Sequence, residues 1–98
     1  MIRVDIKQKH IEISGHAMFD DFGKDIVCAS VSSIVITSIN GILTLDNKAL
    51  KYDLSDDGIT IDVLSDKREV RLLIINMITL LKELEKQYKK NIKVNEEV

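Results

Sequence analysis

The sequence predicts an α+β fold: a mixed or antiparallel β-sheet packed by two α-helices in the order ββαββα. Three observations carry this. Short segments alternate apolar and polar residues around turn signals, the run Ile26 to Leu45 is free of charge and of helical length, and apolar residues from Val70 to Tyr88 recur at spacings of three and four. The chain has 98 residues, which suits a single compact domain over residues 1–98. So small a core gains from added burial, and a homodimer is expected.

Taken in order, Ile2, Val4 and Ile6 alternate with Arg3, Asp5 and Lys7, the pattern of a half-buried strand. Gln8-Lys9 is a tight connection of poor turn chemistry, and His10 to Ser14 resumes the alternation with Ile11 and Ile13 inward. Gly15 to Lys24 reads as a loop, with two glycines and no apolar period. Ile26 to Leu45 admits three readings. A membrane span fits by length, at about 20 residues, but seven Ser, Thr and Asn residues interrupt it and no basic flank follows. One strand cannot be so long. A helix is therefore expected, with Asp25 as N-cap and a buried stripe of Val27, Val31, Ile34, Ser38, Ile42 and Leu45.

Leu50 to Leu54 and Ile59 to Leu64 form a hairpin around Ser55-Asp56-Asp57-Gly58, since Asp and Gly tolerate positive φ. Ser65 or Asp66 caps the second helix, with Glu69 placed for a capping box. Its stripe is Val70, Leu73, Ile74, Met77, Leu80, Leu81, Leu84 and Tyr88. Ile92 and Val94 offer a short final strand, and Glu96 to Val98 is expected to fray.

The net charge of −2 lacks the clustered Lys and Arg of a nucleic-acid or anionic-membrane footprint. No basic start precedes an apolar run, so no signal peptide is expected. A lone cysteine then suggests the reducing cytoplasm. By composition alone, Cys28 is a small buried hydrophobe.

Its neighbours raise another reading. If Asp25 caps the helix, Cys28 lies in the first turn, where the helix dipole favours a thiolate. Backbone N–H groups there can also hold the oxyanion of a tetrahedral intermediate. His16, across the loop, is a candidate to take and return the proton. Asp25 is a candidate to orient that imidazole. The alternatives stay open: His16 as a strand end, Asp25 as a cap only, and Cys28 as packing. No CxxC or HxxxH pair supports a metal site, and no GxSxG elbow supports a serine nucleophile.

Gly15-His16-Ala17, a Gly-containing loop, and Gly23-Lys24-Asp25-Ile26-Val27-Cys28-Ala29 with Ser32 beyond resemble the signature of the ribosomal-processing cysteine proteases. Asn40-Gly41 and Tyr88 to Val94 are similar too, so the resemblance covers essentially the whole chain, although only the first motif is specific. It implies a cytoplasmic endopeptidase of dimeric α+β fold, needing no cofactor, that removes an N-terminal extension from a large-subunit ribosomal protein. Cys28 would be nucleophile, His16 base, and Asp25 an orienting or capping group. Gly15 and Ser32 would sit in the site. Extensions cut by such enzymes carry aromatic residues before the scissile bond, which implies an apolar pocket; Phe19 and Phe22 are candidates either to line it or simply to anchor the loop. The loop Ala17 to Lys24 is expected to close over a bound peptide. The implied partners are the precursor peptide and a second copy, with neither nucleic acid nor membrane bound directly. The competing reading is a non-catalytic dimeric module that docks ribosomal protein or assembling ribosome.

Overall fold

The computed structural model describes residues 1–15, 26–55 and 57–97. The elements are β1 (Ile2–Lys7), β2 (His10–Ser14), α1 (Ile26–Leu45), β3 (Leu50–Ser55), β4 (Gly58–Val63), α2 (Arg68–Gln87) and β5 (Ile92–Glu97). The strands form one sheet in the order β3-β4-β2-β1-β5. All pairings are antiparallel except that of β1 with β5. The final strand is real, and it continues to Glu97 where fraying was expected.

The alternation sets the layers. Ile2, Val4 and Ile6 of β1 are buried, and so are Ile11 and Ile13 of β2. Register places Val4 beside Ile13 and Ile6 beside Ile11, and Ile11 beside Ile61 of β4. One sheet face is therefore aliphatic and covered by the helices. The other carries Arg3, Asp5, Lys7, His10 and Glu12, all exposed. Each aliphatic side chain taken fully out of water contributes about 1.5–3 kcal/mol. The first hairpin closes across Lys7 and His10, with Gln8 at φ 54°. A left-handed non-glycine residue costs about 1–2 kcal/mol, which reflects the poor turn chemistry of Gln8-Lys9.

Helix α1 forms where expected, but its buried stripe has a different phase. Val27, Val31, Val35, Ile39 and Ile42 are buried, Ile34 and Ser38 are half-buried, and Leu45 is 59 % exposed. A helix with apolar residues on every side has no charged face to define its phase, and the sheet selects the stripe that packs best. By length and composition α1 could cross a membrane; here its stripe belongs to the core shared with the sheet and α2. In α2 the buried residues are Val70, Met77, Ile78 and Leu81. Ile78 takes the place expected for Leu80, which is exposed.

The expected cap of α2 also shifts. Lys67 is the N-cap and makes no side-chain cap bond. The Ser65 hydroxyl instead accepts the Lys67 N–H at 3.1 Å. Asp66 pairs with Lys9 of the first hairpin, so it acts as a tertiary tie and not as a cap. Asp46 joins the end of α1 to the start of α2, accepting the Lys48 N–H at 3.0 Å and the Lys67 ammonium at 3.1 Å. These two donors hold its carboxyl below the usual range, the Lys48 N–H contributing most.

The two sheet edges differ. On β5, the Glu85 carboxylate of α2 accepts the Val94 N–H at 2.7 Å, and Lys82 pairs with Glu96 at 2.6 Å. On β3, Tyr52 and Leu54 follow buried Leu50 along the helix-side face, yet are 47 % and 53 % exposed. The phase of α1 yields a test in urea denaturation at fixed protein concentration. Ile39→Ala should cost about 2–5 kcal/mol, and Leu45→Ala about 0.5 kcal/mol or less. Equal losses would contradict the observed stripe.

Candidate functional site

The pairing of β4 with β2 builds the site. Register sets Ser14 against Gly58 and Ile13 against Ile59, so the β3–β4 turn lies beside the end of β2. Two glycines permit this crowding. A Cβ on Gly58 would fall 2.0 Å from the Ile13 carbonyl oxygen, and one on Gly15 would fall 2.3 Å from that of Met1. Gly15 also has φ +86°, a conformation that L side chains rarely adopt.

Above these strand ends lies the first turn of α1. Val27 is fully buried and anchors that turn, while the next residue, Cys28, is half-buried. Ser30 donates its hydroxyl to the Ile26 carbonyl at 2.6 Å, bonding back along the helix. Ser32 sits one turn beyond Cys28 on the same side. Cys28, Ser32 and Gly15 line one cavity of about 260 Å³. Its apolar wall is Ile2, Ile13, Val31 and Ile59, and the turn adds Ser55, Asp57 and Gly58. Apolar cavities of about 150 Å³ accept benzene, so this one has room for an aromatic ring. Cys28 stands at the positive end of the α1 dipole, which stabilises negative charge on sulfur.

Three of the expected site residues thus share one cavity: Cys28, Gly15 and Ser32. His16, Asp25, Phe19 and Phe22 lie outside the described residues, as does the expected closing loop, Ala17 to Lys24. The described histidine, His10, belongs elsewhere. It sits at the hairpin end of β2, on the open sheet face, about 13 Å of strand from Ser14. Its Nδ1 lies 2.6 Å from Asp62 Oδ1, and that hydrogen bond raises its pKa above the ordinary 6.5. It cannot serve Cys28.

Sequence reasoning did not place Ser55, Asp57 and Gly58 beside Cys28. Asp-Asp-Gly signals a turn, but nothing local says that the turn packs beside the cysteine; the β2–β4 pairing decides it. Larger hollows occur away from the site. One of about 580 Å³ lies between α1 and α2, and one of about 350 Å³ lies between α2 and the hairpin end of the sheet. Cys28 lines neither. Among the described residues, no group of three His, Cys, Asp or Glu side chains is placed to hold a metal.

The sequence profile of the cysteine protease Prp family matches residues 1–93. The ribosomal processing cysteine protease Prp of Bacillus subtilis (strain 168) is 31% identical over 108 residues, covering 96% of each chain. The protein of the same description from Staphylococcus aureus (strain Mu50) is 31% identical over 104 residues, covering 97% of this chain and 98% of the relative. A crystal structure of an essential ribosomal processing protease Prp from S. aureus, with a covalently linked product peptide, aligns at a TM-score of 0.91. It is 27% identical and covers 99% of this chain and 100% of that one.

The crowding at Gly58 can be tested directly. Gly58→Ala must push β4 away from the Ile13 carbonyl and displace the turn beside Cys28. It should lower the denaturation midpoint and slow alkylation of the thiol, or speed it if the cavity opens. An unchanged midpoint and an unchanged alkylation rate would show that the close approach is dispensable.

Proposed function

The chain belongs to the cysteine protease Prp family and is a cysteine peptidase, and from that premise we propose that it removes the N-terminal extension of a large-subunit ribosomal-protein precursor in the cytoplasm. The observation that carries the site assignment is Cys28 in the first turn of α1, opening onto the cavity it shares with Gly15 and Ser32. Gly15 immediately precedes His16 in the chain, and Asp25 immediately precedes α1. His16 is the base and Asp25 its orienting or capping group.

In this reading, the Cys28 sulfur gives its proton to His16 and attacks the scissile carbonyl carbon. Negative charge moves to the carbonyl oxygen and is stabilised at the helix start. The intermediate collapses as the imidazolium returns the proton to the leaving nitrogen, which departs as the new amino terminus. A water molecule, deprotonated by His16, then attacks the thioester. Its collapse releases the extension and restores the thiol. The apolar wall of Ile2, Ile13, Val31 and Ile59 receives an aromatic side chain of the extension.

A homodimer completes the proposal. Ser33, Thr37, Gly41, Thr44 and Leu45 of α1 are exposed and uncharged, and Tyr52 and Leu54 are bare on the edge strand. A second copy covering part of this surface adds the burial that a small core lacks. Sedimentation at micromolar concentration should give twice the chain mass of 11.1 kDa; a monomer would count against it.

The function is tested by mixing the protein with the organism's extended precursor and measuring product masses. The expected result is one cut that exposes a new amino terminus. Cys28→Ala should abolish it while leaving the fold intact, and His16→Ala should slow it by about 10²–10⁴-fold. Cleavage by Cys28→Ala would overturn the mechanism.

A further inference from the structure

We propose that Asp57 selects peptides carrying a positive charge near the scissile bond, an inference that rests on the proteolytic reading of the Cys28 cavity. Asp57 and Cys28 line the same cavity. The other described lining residues are Ile, Val, Gly and Ser, so Asp57 brings the one formal charge among them. Its position is set by the sheet, not left to a long loop. Ser55 pairs with Gly58 across the turn, the Ser55 hydroxyl donates to the Gly58 carbonyl at 3.3 Å, and Gly58 is pressed against Ile13.

Asp57 is exposed and enters no salt bridge with another described residue. Other acidic groups are held by lysines, Asp46 by Lys67, Asp66 by Lys9 and Glu96 by Lys82. An ionised carboxylate only accepts hydrogen bonds, so its complement on a bound peptide is an ammonium or guanidinium group. The apolar wall behind it reduces screening on one side. Unlike the proposed aromatic contact, this interaction reads charge, and the two act on different side chains of one peptide.

The test uses peptides spanning the precursor's processing junction, with each position within four residues of the scissile bond replaced in turn by Lys, Gln or Glu. For the wild-type protein, at least one position should favour Lys over Glu by about two- to fivefold in kcat/KM, the scale of exposed ion pairs. Raising salt from about 0.01 to 1 M shortens the screening length from about 30 to 3 Å and should erase most of that ratio. Asp57→Asn retains a turn-forming side chain and should bring the ratio close to one while still cutting the Gln peptides. The same ratios should appear as peptide affinities for Cys28→Ala, read by fluorescence anisotropy.

A Lys-to-Glu ratio unchanged in Asp57→Asn, or no position with a Lys preference, would overturn the proposal. Charge-selective binding without any cleavage by the wild-type protein would instead overturn the proteolytic reading and leave the selection in place. Neither binding nor cleavage would overturn both.

Discussion

The pairing of Ser14 with Gly58 across β2 and β4 is the constraint on which the rest of the site depends. It is a long-range contact, and it brings the end of β2 to the start of β4. Gly15 leaves β2 at that point, and the β3–β4 turn arrives there. The first turn of α1 packs over both, fixed by fully buried Val27. A slip of one residue in this register would turn Ile11 and Ile13 to solvent, so burial of the core and assembly of the cavity are specified by the same alignment.

The one-sided sheet explains why a chain this short can hold such a site. Both helices cover the same face, and α2 packs against both α1 and β5. The opposite face carries Arg3, Asp5, His10 and Glu12 and asks for no further layer. Economy on this scale leaves surface uncovered. The β5 edge is guarded by Glu85 and Lys82, whereas the β3 edge exposes Tyr52 and Leu54 next to an uncharged helix. The asymmetry follows from the sequence: the helix beside β5 is rich in Glu and Lys, and α1 has neither.

Much of the fold was legible because strands with one wet face write their register as alternation. Ile2, Val4, Ile6, Ile11 and Ile13 were read correctly for that reason, as were both hairpins and the helical state of Ile26 to Leu45. The phase of α1 was not legible. Ile34, Ser38 and Leu45 fit a stripe as well as Val35 and Ile39 do until the sheet is present, because no charge marks the solvent side. In α2, where Glu and Lys do mark it, the only exchange was Ile78 for Leu80. The cap at Lys67 was missed because Ser65 and Asp66 found other work nearby. Of the residues lining the cavity, Cys28, Gly15 and Ser32 were singled out in the sequence from two separate segments of one motif. Asp57 was not, because its place beside them exists only through strand pairing.

For the proposed thiolate chemistry, a helix start alone is insufficient. A free thiol with pKa about 8.5 is outnumbered by its protonated form about thirty to one at neutral pH. A helix dipole contributes about 0.3–1 kcal/mol to a charge at its terminus when exposed. That multiplies the thiolate population by about two to five. The remaining factor needs a proton acceptor in contact with sulfur, and the leaving nitrogen needs a donor in the same place. One imidazole meets both needs in turn. The residue after Gly15, whose backbone lines the same cavity as Cys28, is a histidine. His10, held by Asp62 on the far face of the sheet, cannot do this. On the proposed mechanism, the place where β2 ends would matter as much as the place where α1 begins, because Gly15, next to the histidine in the chain, lines the cavity of Cys28.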